Sequence, residues 1–383
     1  MTLNGNWLNV AEIGSLQAAF DRLPPTGGTI YLPAGVYPIG DSVVARLAEG
    51  QHLNLIGEGR GSVLVNECSD GCPLLHLTGV VGSWWPNLRL TIRDISFVGS
   101  HRSGDGLVVD YPNDALIDTC FFEGHGAHAL RLGPQGTNVT VRDCWLRDCR
   151  RGIRADNIHH LTLHGNQTRS RRDGQIQAEH LFLGWECREV RVVNNHFAYG
   201  HAQGIILDGT AQHVISGNTI EGFPIGIEAH GRGETQPPDR CRDIIISNNY
   251  LHADCGIWLQ GECRGFTVSA NSFVNNPEAA VRITEGQGAG GHNLTGNMVR
   301  KSVYDGQYVK TASERQGGFE LGEAEGCVVQ GNLLEGVNPG PGVSAAAGGR
   351  GHLIANNLCR GLAGRPGLQI EASDCLVSNN LES

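Results

Sequence analysis

Three titratable side chains near the middle of the chain have a spacing suited to acid–base chemistry: Asp208, Glu228 and His230. Asp208 closes the segment Gly-Ile-Ile-Leu-Asp (204–208), and Glu228 and His230 fall in Gly-Ile-Glu-Ala-His (226–230). In extended strands alternate residues face opposite ways. Ile205, Leu207, Ile227 and Ala229 therefore share one side, and Ile206, Asp208, Glu228 and His230 the other. Two carboxylates around an open space suit glycosidic bond cleavage, which uses one group to protonate the leaving oxygen and an ionised one as base or nucleophile. An imidazole beside them suits proton abstraction next to a sugar carboxylate.

These positions depend on a repeat that runs through most of the chain. From residue 90 onward the pattern apolar-x-apolar-x-x-Asn-x-apolar recurs, with asparagines at 166, 195, 218, 249, 271, 297, 332, 357 and 380. Most of these are 22–26 residues apart. Upstream, Ile95, Cys120 and Cys144 take the same place. Asparagine tolerates a left-handed bend and its amide can bond the turn and its neighbours, so nine in register predict a stacked ladder. The ladder also argues against glycosylation at Asn166-Gln-Thr, because a ladder residue is buried.

A second strand opens each coil, usually with Gly or Ala before an apolar residue, as in Gly152-Ile, Gly204-Ile, Gly226-Ile and Gly256-Ile. Stacked in parallel, these strands form a sheet with one solvent-facing side. One outward column then contains Val108, Arg131, Arg154, Phe182, Ile206, Glu228, Trp258, Arg282, Glu320 and Ser344. The next contains Asp110, Gly133, Asp156, Gly184, Asp208, His230, Gln260 and Thr284. With coils about 4.8 Å apart and same-face neighbours about 6.6 Å apart, Glu228 lies diagonally from Asp208 at a Cα distance of about 8 Å. Asp156 joins the candidate catalytic set two coils away. Trp258 offers a flat surface for a sugar ring. Arg154 and Arg282 suit a sugar's hydroxyls or carboxylate and, equally, pairing with Asp156 and Glu320. Arg131, Gln260 and Glu320 complete the candidate substrate-binding set. Just before the strands lies another row, Asp105, His128, Arg151, Glu179 and Gln203. Insertions at 169–179, 231–242 and 301–317 are expected to build walls over the same sheet.

Composition agrees with many short strands joined by tight turns: 55 Gly against 15 Pro and 2 Met. A net charge of −10 excludes non-specific nucleic-acid binding, which needs a basic face. The short basic runs at 147–154 and 169–172 are expected to be solvated turns, with recognition of an acidic sugar as the alternative. No apolar stretch approaches the roughly 20 residues that span a membrane. The N-terminus lacks a signal-peptide pattern, which leaves a cytoplasmic protein or a mature secreted form as the expectation. Of twelve cysteines, Cys187, Cys241 and Cys263 share a Cys-Arg turn position but not paired zinc spacing, so no metal is expected there. Cys68 and Cys72 are close enough in sequence to pair locally, which the sequence leaves undecided.

Residues 11–23 have helical spacing and end at Pro24-Pro25. They lead into Gly-Gly-Thr-Ile-Tyr-Leu-Pro-Ala-Gly-Val-Tyr (27–37). This segment resembles the N-terminal cap of pectate-lyase-like right-handed parallel β-helix proteins, and the repeats and asparagine ladder extend the resemblance along most of the chain. A cap covers the apolar end and open edges of the first coil. The expected fold is therefore all-β, a right-handed parallel β-helix of about 11–12 coils with an N-terminal capping helix. Residues 1–89 are expected to form the cap and first coils and 90–383 the remainder of one continuous domain.

The resemblance implies carbohydrate processing. Its first form here is a glycoside hydrolase or glycosyl-transferring enzyme that uses Asp208 and Glu228 as the acid/base pair with Asp156 and His230 assisting, and no cofactor. A loose similarity to difructose-anhydride-forming fructotransferases points the same way. The second form is a polyuronate lyase or epimerase, with His230 as base, Arg154 or Arg282 neutralising the sugar carboxylate, and calcium on Asp156 and Asp208. The third is a non-catalytic glycan-binding or tailspike-like module. Asp105-Gly-Leu and His128-Ala-Leu resemble the polygalacturonase order, but that family's Asn-Thr-Asp, paired aspartates and Arg-Ile-Lys are missing. The partner is an oligo- or polysaccharide; proteins of the resembled kind are often trimers, and the sequence leaves the oligomeric state open.

Overall fold

The structure is a computed structural model. It describes residues 7–68, 70–80, 89–170, 179–231, 241–284, 290–301, 316–338, 340–362, 364 and 366–383. The chain divides into two compact units, Met1–Arg191 and Val192–Ser383. Each is a parallel β-solenoid, and together they contribute about 13 turns. The repeat alone predicts about 11–12, because the early coils between residues 27 and 90 lack the asparagine that marks the later ones.

In the first unit the helical segment is split. Val10–Ile13 ends on Gly14, whose φ of 98° is left-handed, and Ser15 caps Leu16–Asp21 by accepting from Ala18 N at 3.1 Å. Val10, Leu16, Ala19 and Phe20 are its buried residues. Ladder pairing then runs coil by coil, as in Asn113–Asp118 on Gly136–Arg142 and His128–Gly133 on Arg151–Ala155. Before Asn166 the asparagine ladder is continued by sulfur. Cys144 N donates to Asn166 Oδ1 at 3.0 Å, and Cys120 N donates to Cys144 Sγ at 3.4 Å.

In the second unit the expected ladder is complete from Asn195 to Asn380. Each asparagine donates its backbone N–H and its side-chain Nδ2 to the Oδ1 of the next, at 2.8–3.1 Å. Asn218 is one such member, 1% exposed, and has a purely structural position. Inside, the aliphatic columns are dry: Ile205, Leu207, Ile227, Ala229, Ile257 and Leu259 are all 0% exposed. Each buried aliphatic side chain contributes on the order of 1.5–3 kcal/mol, and this packing carries the fold. The segment between Asn218 and Gly226 remains extended, giving one long strand Thr219–Gly231 with a register shift between Glu221 and Phe223. That strand presents Glu228 and His230.

The turn cysteines are packing groups. Cys187 in the first unit and Cys241 and Cys263 in the second are fully buried, and the Sγ atoms bond carbonyls, Cys241 to Leu207 O at 3.3 Å. The central residues of all three expected insertions, 171–178, 232–240 and 302–315, lie outside the described residues.

Candidate functional site

In the second unit the parallel register puts the expected outward residues side by side. Strand Gln203–Asp208 pairs with Thr219–Gly231 so that Ile206 meets Glu228 and Asp208 meets His230. On the next coil Glu228 meets Trp258 and His230 meets Gln260. Trp258 then meets Arg282, Gln260 meets Thr284, and Arg282 meets Glu320.

Glu228 is the centre of this face. Although it points outward, it is only 4% exposed. Gln203 Nε2 donates to its Oε2 at 2.5 Å, Gln260 Nε2 donates to Oε1, and His230 Nε2 lies 3.4 Å from Oε1. Both carboxylate oxygens are thus engaged as acceptors by groups from three successive coils. A buried charged group is retained only when it is paired or hydrogen-bonded in this way. His230 is about one-third exposed at 36% of its side chain. Its pKa is raised above the ordinary imidazole value, first by the hydrogen bond with Glu228, against burial, and then by the negative charges of Glu228 and Asp208. Asp208 is half-buried beside it, one coil away in the same column.

Trp258 is held by two contacts. Its Nε1 donates to Thr284 Oγ1 at 2.8 Å, and the Arg282 guanidinium lies 5.7 Å from its ring. Arg282 is bound on both sides, to Glu320 Oε2 at 2.7 Å and Glu278 Oε2 at 3.0 Å. Arg282 thus pairs with Glu320, as the sequence allows, and also with Glu278.

Arg154, Asp156 and Arg131 belong to the first unit. Arg154 grips Asp156 with Nε at 2.6 Å and Nη2 at 3.0 Å, and its guanidinium lies 4.4 Å from the centre of the Phe182 ring. Gly184 leaves room for this pair, since a Cβ there would fall 2.2 Å from Asp156 Oδ1. Arg154 thus pairs with Asp156, as the sequence allows.

The row before the strands forms a second cluster in the first unit. Asp105 Oδ1 accepts from His128 N at 2.8 Å and from His128 Nδ1 at 2.9 Å, and Arg131 Nε lies 3.1 Å from Asp105 Oδ2. Burial is the largest influence on the Asp105 carboxyl and raises its pKa. The bonds from His128 and the charges of His128 and Arg131 outweigh it and hold the pKa below the usual aspartate value. Arg151 pairs with Glu179 at 3.0 Å.

The sequence places Glu228, Asp208 and His230 correctly on one face but misses what Glu228 is bound to. Gln203 stands out only as a polar residue at a strand start, and its reach to Glu228 depends on side-chain direction. Glu278 likewise gives no sign of its hold on Arg282.

The family model for the right handed beta helix region matches residues 79–236 and 182–299, which together span 79–299, or 221 of 383 residues. No curated protein matches the chain in sequence. Among solved structures, the A-module of the mannuronan C-5 epimerase AlgE6 of Azotobacter vinelandii superposes with a TM-score of 0.65 at 17% identity, covering 98% of this chain and 99% of that one. The catalytic unit of the GH87 α-1,3-glucanase of Streptomyces thermodiastaticus gives 0.63 at 15% identity, covering 99% and 69%. The family 28 exopolygalacturonase of Yersinia enterocolitica gives 0.53 at 14%, covering 99% and 79%. At these identities the likeness is one of fold.

Proposed function

The chain belongs to the right-handed β-helix family, and from that premise we propose that it is a carbohydrate-active enzyme acting on an oligo- or polysaccharide at the Glu228 face. The structures it resembles include a mannuronan epimerase, an α-1,3-glucanase and an exopolygalacturonase, all of which act on polysaccharides. The reaction that the geometry supports best is cleavage or transfer of a glycosidic linkage.

One observation carries this choice: both oxygens of Glu228 are occupied, and one of them lies beside the imidazole of His230. Glu228 is therefore the positioning residue. The proton donor is His230, whose protonated form the Glu228 carboxylate beside it favours. With Nε2 facing Glu228, the Nδ1 proton is the one delivered to the departing glycosidic oxygen. Asp208, one coil away, takes the proton of the attacking water or attacks the sugar carbon itself. Trp258, fixed by Thr284 and Arg282, forms the floor for a sugar ring.

A lyase or epimerase fits less well. That chemistry needs a neutral base and an uncommitted cation for the uronate carboxylate. The Glu228 carboxylate beside His230 favours the protonated imidazole over a neutral base, and Arg282 is held by Glu278 and Glu320.

The test is a panel of neutral and uronate polysaccharides assayed for reducing ends and for ultraviolet absorbance of unsaturated product. Reducing ends without new absorbance are expected, with Asp208→Asn and His230→Gln each about 100-fold or more slower. Unsaturated product would instead establish the lyase.

A further inference from the structure

The cysteine inventory divides sharply. Ten cysteines are free and nine of those are buried, with Cys375 partly so. Burial pushes the Cys149, Cys187 and Cys255 thiols up to about 12. Such thiols are inert packing groups, walled off from ions and oxidants. Cys68 and Cys72 differ in being bonded to each other, and although Cys68 is buried, Cys72 is only half-buried and the Asp70 between them is exposed. They lie in the turn between strands Ser62–Asn66 and Leu75–Thr78, at the surface of the first unit, with Asp70 between them.

In the structure the two sulfurs are bridged, with the Cα atoms 6.0 Å apart. Asp70 is exposed, with one carboxylate oxygen against the turn. Asp70 Oδ1 lies 3.0 Å from Cys68 Sγ and accepts from Cys72 N at 3.2 Å. Asn66, itself buried, accepts from Cys68 N at 3.0 Å and donates to Cys72 O at 3.2 Å. Gly104 N donates to Cys72 O at 3.1 Å, and a Cβ on Gly104 would collide with Gly71 O at 2.1 Å, so the turn is seated directly on the backbone before Asp105. The bridged Cys68 and Cys72 sulfurs and one Asp70 oxygen all lie within 4.8 Å of one another.

We propose that this turn is a redox-gated site for a thiophilic divalent cation, of which zinc is the type. Two thiolates and one carboxylate from a Cys-x3-Cys segment match the ligand types and spacing that zinc takes, with water in the fourth position. Access requires reduction. A dithiol attacks one sulfur of the Cys68–Cys72 bridge, the S–S bond breaks, the reductant leaves as its own cyclic disulfide, and both cysteines become thiols. The cation then forms two metal–sulfur bonds and one bond to the Asp70 carboxylate, releasing the two thiol protons to water. Asn66 and the seat on Gly104 hold the turn in place through both states. Oxidation by a disulfide reverses the sequence and expels the ion.

The test uses the full chain, stripped of metal and either reduced with a phosphine or oxidised. Zinc is titrated against a chromophoric chelator and cobalt is used as a spectroscopic probe. The reduced chain is expected to bind one equivalent and to show thiolate-to-cobalt charge-transfer absorption, while the oxidised chain binds none. Cys68→Ser and Cys72→Ser abolish binding, Asp70→Asn weakens it on the order of tenfold or more, and Cys375→Ser leaves it unchanged. Thermal melts of each variant establish that it is folded. Reduced wild type that takes up no ion overturns the proposal, as does binding that survives Cys68→Ser or is indifferent to Asp70→Asn.

Discussion

His230 Nε2 lies 3.4 Å from Glu228 Oε1, two residues along the same strand and on the same face of it. The pair makes the charge state of His230 a property of Glu228. Glu228→Gln removes the negative charge and keeps the shape, so the His230 pKa is expected to fall toward the ordinary 6.5. Following the imidazole carbon-bound proton by NMR as a function of pH reads the shift directly. Because the folded pKa is raised, the stability from this pair is fully present below about 6.5 and is lost as pH rises through the folded value. Denaturant midpoints on either side of that range should show a wild-type decline that Glu228→Gln lacks.

Asp105 carries the opposite sign. Its pKa is held down, so the stability from its bonds to His128 is present above the ordinary aspartate value and lost as pH falls through the folded pKa. Asp105→Asn should flatten that acid limb and cost about 1.5–3 kcal/mol at neutral pH, as expected for hydrogen bonds to a charged group. Urea titrations at pH 7 and in the acid range check both halves.

Asn271→Ala strips one rung from the ladder. It leaves Asn249 N, Asn249 Nδ2 and Ile246 O without their bonds to this side chain in a buried setting. A loss of about 3 kcal/mol or more follows, at roughly 1–3 kcal/mol for each buried group left unsatisfied. Equilibrium unfolding in urea measures it. Thr267→Ala, a half-buried position in the strand that precedes this rung, serves as the control and should cost far less.

Gly184→Ala places a methyl group 2.2 Å from Asp156 Oδ1 and 2.7 Å from the Phe182 ring. Arg154, Asp156 and Phe182 must shift together, at a cost of about 1–3 kcal/mol. The displacement is checked by a crystal structure of the variant, and the cost by its thermal midpoint.

Trp258→Ala should raise KM with little change in kcat, because the ring floors the site without joining proton transfer. Steady-state kinetics on whichever glycan the panel identifies would separate the two parameters.

Much of this molecule was legible in its sequence because a solenoid repeats its physics. Each inward aliphatic and each ladder asparagine is constrained by the same neighbours above and below, so nine copies at one phase leave little freedom. The outward columns follow from strand alternation, and the register pairs Asp208 with His230 and Glu228 with Trp258 as that alternation requires. Side-chain direction does not repeat. Arg154 turns to Asp156 and Arg282 to Glu320 and Glu278, choices set by rotamers over a few ångströms. Gln203 reaches Glu228 across coils for the same reason. The helix over 11–23 is broken by Gly14, whose left-handed backbone no apolar periodicity records.

The asparagine ladder also has a direction. In the second unit every side-chain amide gives one Nδ2 proton to the Oδ1 of the following rung, and from Asn218 onward Nδ2 also bonds a carbonyl from the coil before, as Asn271 does with Asn297 and Ile246. No rung is reversed between Asn195 and Asn380. Amide dipoles arranged head to tail polarise one another, so each bond strengthens the next. The row behaves as a single electrically polarised filament buried in protein. An aspartate introduced at one rung would break its polarity as well as remove its bond, because a carboxylate accepts where the amide must give.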